Sequence, residues 1–270
     1  MSDTGGRDRL FADAGPSAGD FVFDDAVAAV FPDMIKRSVP GYPAIINMIR
    51  LLAEQYAQPG SVLMDLGCSL GASTAALASG GAGRGCRVVG IDNAAAMLSR
   101  AQAMLASQHP DIQWSCQDVR AASIEDASVV VLNFTLQFLP PADRLALLKR
   151  IHAGLRPGGI LILSEKIRGE DRLADELLTE MHHAFKRANG YSQLEISRKR
   201  TALENVLVPE TLDAHRQRRG VYFVHIQRPP PPAPHGRVAV PGQRGRLRQR
   251  QRRLQFTHLA KQIDDRLEHH

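Results

Sequence analysis

The chain is poor in aromatic residues, 5% with a single Trp, and has only three Cys among 270 residues. Cys68, Cys86 and Cys116 lack metal-ligand spacing and are too few for a disulfide framework. Each reads as a free thiol in or near a strand. No apolar run reaches transmembrane length. The stretch Met1 to Asp8 is polar and Gly-rich, without the apolar segment of a signal peptide, which points to the cytoplasm. What is present is an apolar fraction of 44%, enough for a real core.

The net charge of +6 is unevenly spread. Residues 217–270 hold eleven Arg and one Lys against two Asp and one Glu, or +9, which leaves −3 on residues 1–216. The basicity is therefore no sign of nucleic-acid binding by the fold itself. Residues 1–20 are expected to be disordered and 21–216 to form one domain. Residues 217–270 contain four consecutive prolines, Pro229 to Pro232, and an Arg-rich run from Arg244 to Arg253; they read as a low-complexity tail. The final Leu267-Glu268-His269-His270 has the letters of an expression-tag remnant.

Strand patterns fall at 62–66, 86–91, 112–116, 128–133 and 159–164. Helical periodicity falls between them at 72–79, 94–107 and 141–154. Alternation of this kind predicts a parallel, doubly wound α/β sheet. Two helical segments precede it: 24–37, expected to break at Pro32, and one from about Ile45 to Tyr56. Pro157-Gly158-Gly159 is expected to turn into the fifth strand. A helical insertion follows, with Leu173, Leu177, Leu178, Met181 and Phe185 on one face, Gly190 at its end, and a capping box at Ser192 and Glu195.

Val62 to Gly71 (VLMDLGCSLG) combines a strand, a Gly turn and a helix start. Its letters also spell the G-x-S-x-G elbow of a serine hydrolase, with Ser69 as nucleophile. That reading needs an oxyanion loop on an earlier strand and a His in a late loop. No earlier strand exists, and His152, His182 and His183 sit in helical patterns. The cofactor reading predicts a carboxylate at the end of the next strand to accept from ribose hydroxyls. Asp92 is there, 25 residues beyond Gly67, followed by Asn93. Gln117-Asp118-Val119 supplies a polar group for adenine after the third strand. The turn lacks the G-x-G-x-x-G spacing that a pyrophosphate requires, and Asp65 would repel one. The ammonium and sulfonium of S-adenosyl-methionine suit an acidic strand end, so the expected fold is class I methyltransferase-like (Rossmann-like).

Longer motifs sharpen this. Val30 to Tyr42 (VFPDMIKRSVPGY), Asp65 to Gly71 (DLGCSLG), Val131 to Phe138 (VLNFTLQF) and Phe185 to Tyr191 (FKRANGY) resemble the carboxy-S-adenosyl-L-methionine synthase family. Glu195 to Arg200 (EISRKR) and Leu203 to Val206 (LENV) do so too. The resemblance covers about residues 20–216. It implies conversion of S-adenosyl-methionine and prephenate to carboxy-S-adenosyl-methionine and phenylpyruvate. The sulfonium acidifies its methyl group, and decarboxylating prephenate supplies carbon dioxide and a base. The product would serve a downstream tRNA carboxymethyltransferase acting on wobble uridine, and the enzyme would be a homodimer without a metal. Residue by residue, the resemblance assigns Tyr42 to ligand contact. Gly67, Cys68 and Ser69 fall to the amino-acid part, Asp92 and Asn93 to the ribose, and Asp118 and Val119 to the adenine. Asn133 falls to the methionyl end and Arg200 to the added carboxylate. A guanidinium suits that last role, since it binds carboxylate through two parallel hydrogen bonds.

The resemblance stops near Arg219. The family continues with a Gly-Phe turn and two aromatic-rich strands, whereas the tail here reads like an out-of-frame translation of GC-rich DNA. A frameshift near residues 217–221 would account for it, and the sheet would then lose its last two strands. Two alternatives stay open: a conventional S-adenosyl-methionine-dependent methyltransferase, which would need no Arg200, and a non-catalytic cofactor- or RNA-binding module.

Overall fold

The computed structural model describes residues 6–12 and 21–222. At its centre lies a parallel sheet in the order β3-β2-β1-β4-β5. The strands are β1 (Val62–Leu66), β2 (Arg87–Asp92), β3 (Gln113–Cys116), β4 (Ala127–Asn133) and β5 (Leu155–Ser164). β1 and β4 occupy the middle and are buried almost throughout, which is why they are apolar but for Asp65, Ser128 and Asn133. Pleating sends alternate residues to opposite faces. Met64 and Leu66 join Val130 and Leu132 against Leu147 and Ile151 of α5 (Pro141–Gly154). Leu63, Val129 and Val131 face the other way, onto Ile49 and Ala53 of α2 (Tyr42–Tyr56) and Leu77 of α3 (Ala72–Gly80). The helices can approach there because Gly80 has no side chain to strike the Arg50 carbonyl and Ala53.

The winding reverses between β1 and β4. Their following loops therefore part at the carboxyl edge and leave a crevice, where open α/β sheets bind ligands. α1 (Asp25–Ser38) roofs this edge: Val27, Ala28 and Met34 pack on Leu70 and on Met97 of α4 (Ala95–Leu105). The expected break at Pro32 does not occur. Asp24 caps the helix by accepting from the Val27 N–H, and the buried Val27, Ala28 and Met34 on both sides of the proline hold it continuous. Pro157-Gly158-Gly159 likewise forms a bulge inside β5 rather than a turn before it. The pairing shifts from Ala127↔Leu155 to Val129↔Ile160, with Gly158 at φ 79°.

After β5 come β6 (Ile167–Arg168), α6 (Arg172–Ala188), α7 (Gln193–Leu203), β7 (Glu210–Thr211) and α8 (Leu212–Tyr222). The capping box at Ser192 and Glu195 starts α7. The apolar face expected on α6 divides: Leu178, Met181 and Phe185 line an interior cavity, while Leu173 and Leu177 stand exposed away from it. Residues 6–12, read as part of a disordered end, are instead anchored. Asp8 is 1% exposed; its N–H donates to Asp33 Oδ2 at 2.8 Å and its Oδ2 accepts from Tyr191 Oη at 2.5 Å. Position 217, expected to open the tail, lies within α8. The suspected frameshift segment, 217–221, falls within α8, while the proline and arginine runs lie outside the described residues. Among those described, β5 is a sheet edge, and its residues from Ile160 to Ser164 are only half-buried.

Arg144 on α5, 1% exposed, ties the C-terminal elements to the loop after β4. It donates to the carbonyls of Leu139 at 3.0 Å and Val208 at 2.8 Å, and pairs with Glu210 at 2.5 Å. Arg144→Ala removes this donor from the Leu139 and Val208 carbonyls and leaves Glu210 to Arg218 alone, and should lower the unfolding free energy by about 1–3 kcal/mol. Urea denaturation measures this; a loss below about 1 kcal/mol, the level of a surface ion pair, would contradict it.

Candidate active site

The loop after β1 is held in an unusual backbone shape. Gly67, Ser69 and Gly71 have φ of 79°, 50° and 78°. Left-handed conformations suit glycine, and at Gly67 a side chain would also run into Thr135. Ser69 bears the strain because the end of β2 holds it: its N–H donates to Asp92 Oδ2 at 2.8 Å. Asp92 Oδ1 accepts from the Ala94 N–H at 2.9 Å, and the Gly67 and Cys68 N–H groups donate to the Ile91 carbonyl. Burial raises the Asp92 pKa from its ordinary value, against the pull of these N–H bonds. Each carboxylate oxygen keeps a lone pair free for a ligand hydroxyl.

Ten residues singled out by the sequence line one cavity of about 1080 Å³: Tyr42, Gly67, Cys68, Ser69, Asp92, Asn93, Asp118, Val119, Asn133 and Arg200. The volume exceeds the roughly 300–1,000 Å³ common for one small ligand, which leaves room for a second. Asn133 Nδ2 donates to Ser73 Oγ at 3.0 Å, while its Oδ1 is buried with no partner. An orphan acceptor on a cavity wall awaits a donor such as an ammonium. Val119 is 6% exposed and offers an apolar surface to a base. Asp118 is held by Arg120 at 2.7 Å, which pulls its pKa down. Arg200, on α7, is exposed at the cavity wall. Burial raises the Tyr42 and Cys68 pKa values, so phenol and thiol stay protonated. Among the described residues Ser69 makes no hydrogen bond to a histidine; its hydroxyl donates to Met97 Sδ at 3.7 Å. That leaves the nucleophile reading without a base.

Two placements differ from what the residue types suggested. Asp65 does not line the cavity. It is fully buried behind the loop, accepts from Thr74 Oγ1 at 2.7 Å, and burial pushes its pKa up to about 7. It can act on a bound cation only through space. Gln117 turns away, donating to Ser115 Oγ at 2.8 Å, so Asp118 and Val119 alone represent that segment. Several cavity residues had no assigned role: Glu165, Lys166, His182, Lys186 and Lys199. Glu165 and Lys166 immediately follow β5, and polar residues just past a parallel strand were the available signal. Glu165 clamps the loop after β4 by accepting from the Leu136 and Gln137 N–H groups at 2.8 and 3.1 Å. Among the described residues, no group of His, Cys, Asp and Glu could hold a metal ion, and no helix is long and apolar enough to cross a membrane.

Sheet order, strained glycine loop and acidic β2 end together define a class I methyltransferase-like enzyme that binds S-adenosyl-methionine. The family described as Methyltransferase domain matches residues 63–159. The methyltransferase solved with the Trm112 methyltransferase activator of Haloferax volcanii aligns with TM-score 0.50 and 17% identity, over 76% of this chain and 78% of that one, a likeness of fold. Carboxy-S-adenosyl-L-methionine synthase of Aliivibrio fischeri (strain ATCC 700601 / ES114) is 55% identical over 213 residues, 78% of this chain and 88% of the relative. The synthase of Geobacter sp. (strain M21) is 56% identical over 214 residues, with the same coverage. The chain belongs to the carboxy-S-adenosyl-L-methionine synthase family and is a transferase.

Burial outweighs the two N–H bonds at Glu165 and pushes its pKa from 4.5 up to about 8. The folded state thus holds this proton more tightly than the unfolded chain. The associated stability is complete below about pH 4.5 and is lost as pH rises through 8. Unfolding free energies of the parent and Glu165→Gln, compared across that range, should shift progressively in favour of the variant. A difference independent of pH would mean that the N–H bonds fully offset burial.

Proposed function

We propose that the enzyme carboxylates S-adenosyl-methionine, using prephenate as the second small-molecule substrate and releasing phenylpyruvate. The observation that carries this is Arg200, a guanidinium on the wall of the same cavity as Asp92, Asn133 and the glycine loop. Methyl transfer to a neutral acceptor gives no use for a fixed cation there, whereas a carboxylate added to the methyl carbon does. In this reading Asp92 and Asn93 bind the ribose, Asp118 and Val119 the adenine, and Tyr42, Cys68 and Ser69 border the amino-acid end. Asn133 Oδ1 accepts from the ammonium. The sulfonium supplies an acidified methyl group. The protein aligns the two substrates and excludes water around them.

The product would act in the cytoplasm as carboxymethyl donor to a tRNA-modifying enzyme at the wobble uridine. The family's homodimer finds support in the outer face of α6, where Leu173 and Leu177 are 74% and 60% exposed one helical turn apart.

Mass spectrometry of ligand co-purifying with the protein tests the reading. The expected species is heavier than S-adenosyl-methionine by one carbon dioxide. Arg200→Ala should bind S-adenosyl-methionine but yield no carboxylated product. Unmodified cofactor alone from the parent protein, with methyl transfer to an added acceptor, would favour a conventional methyltransferase.

A further inference from the structure

The cavity concentrates cations on one side. Lys166 follows β5, His182 and Lys186 come from α6, and Lys199 and Arg200 from α7. They lie close enough to feel one another: Lys166 senses Arg200, Lys186 senses Lys166, and Lys199 senses Lys186. Two have acidic counterweights. Lys199 Nζ is 3.7 Å from Asp8 Oδ2 and donates to Ser38 Oγ at 3.2 Å; Lys166 feels Asp175. His182 binds the Ser38 carbonyl at 2.8 Å, and burial drives its pKa down to about 4, so it is neutral.

Lys186 differs from the rest. It is 8% exposed and lines the cavity, yet among the described residues its ammonium has no hydrogen bond or ion pair. Burial and Lys166 lower its pKa to about 8, which leaves it mostly protonated at neutral pH. An uncompensated buried charge costs stability, and the aliphatic stem alone would pack as well in an uncharged residue. Such a group is in place for something that enters the cavity.

We propose that Lys186, with Lys166 beside it, is the subsite for the carboxylate that the second substrate keeps. This rests on the prephenate reading. Of that molecule's two carboxylates one departs as carbon dioxide and one remains on phenylpyruvate. A cation bound to the departing group would stabilise the ground state and oppose its loss. Arg200 is committed to the carboxylate once attached to the methyl carbon. The retained carboxylate therefore needs a different cation, and Lys186 is the buried one without a partner.

The test is calorimetric titration of prephenate into the full-length protein saturated with S-adenosyl-homocysteine, which has no methyl to react. The parent should bind prephenate. Lys186→Met should weaken that binding by on the order of tenfold to a hundredfold, as expected for a lost charge-assisted contact. Lys186→Arg should restore much of it, and neither variant should change the affinity for S-adenosyl-homocysteine. Lys186→Met without ligand should melt no lower than the parent, since a buried charge has gone. Failure of the parent to bind prephenate would overturn the proposal. So would undiminished binding by Lys186→Met, or an equal loss of S-adenosyl-homocysteine affinity. Prephenate binding that follows Lys186 in a protein forming no carboxylated product would uphold the subsite while removing the synthase reading.

Discussion

The bond from the Ser69 N–H to Asp92 Oδ2 joins the ends of two neighbouring strands, and the cavity takes its shape from that join. It keeps Ser69 at a φ of 50°, which a serine does not adopt without compensation. It sets Gly67, Cys68 and Ser69 on the cavity wall. It also fixes Asp92 with both oxygens half-used, rigid enough to receive a pair of hydroxyls. Parallel strands make this possible, because all of them end at the same edge and bring their loops together.

A second set of ties holds the opposite side. Glu165 accepts from the N–H groups after β4, Arg144 donates to carbonyls in the same loop, and Glu210 anchors Arg144. The Arg218 guanidinium, with Arg144, holds the Glu210 carboxyl down at about 2, so Glu210 stays ionised throughout the physiological range. The two sides carry opposite charge. Asp92 and the deeper Asp65 make the cofactor end acidic, suited to a ligand with ammonium and sulfonium charges. Lys166, Lys186 and Arg200 make the other end basic, suited to carboxylates. A cavity polarised in this way suits two ligands of opposite charge side by side.

The N-terminal segment belongs to the basic end. Asp8 meets Tyr191 and Lys199, its N–H meets Asp33, and Arg37 donates to its carbonyl at 3.2 Å while lying over the Tyr191 ring at 3.9 Å. This places a carboxylate beside Lys199, one residue from Arg200. Nothing in the polar, glycine-rich lettering of Met1 to Asp8 announces it, because the partners lie 25 to more than 180 residues away. Local composition cannot report a contact of that kind.

Hydrophobic alternation and turn residues alone determined the sheet. Five strands and three intervening helices lie where the letters put them, because a strand buried on both faces must be apolar and a parallel connection must be helical. The acidic and polar strand ends likewise marked the cofactor half of the site, since strand ends converge by topology. The basic half had to wait for the tertiary structure. Lys166 and Lys186 are ordinary letters in ordinary patterns, and a lysine on a helix is normally solvated. Only the packing of α6 and α7 over the crevice buries Lys186 and strips it of partners. The same packing put Leu178, Met181 and Phe185 of the apolar stripe on the cavity wall and left Leu173 and Leu177 outside it, and buried Val27, Ala28 and Met34 kept α1 intact through Pro32.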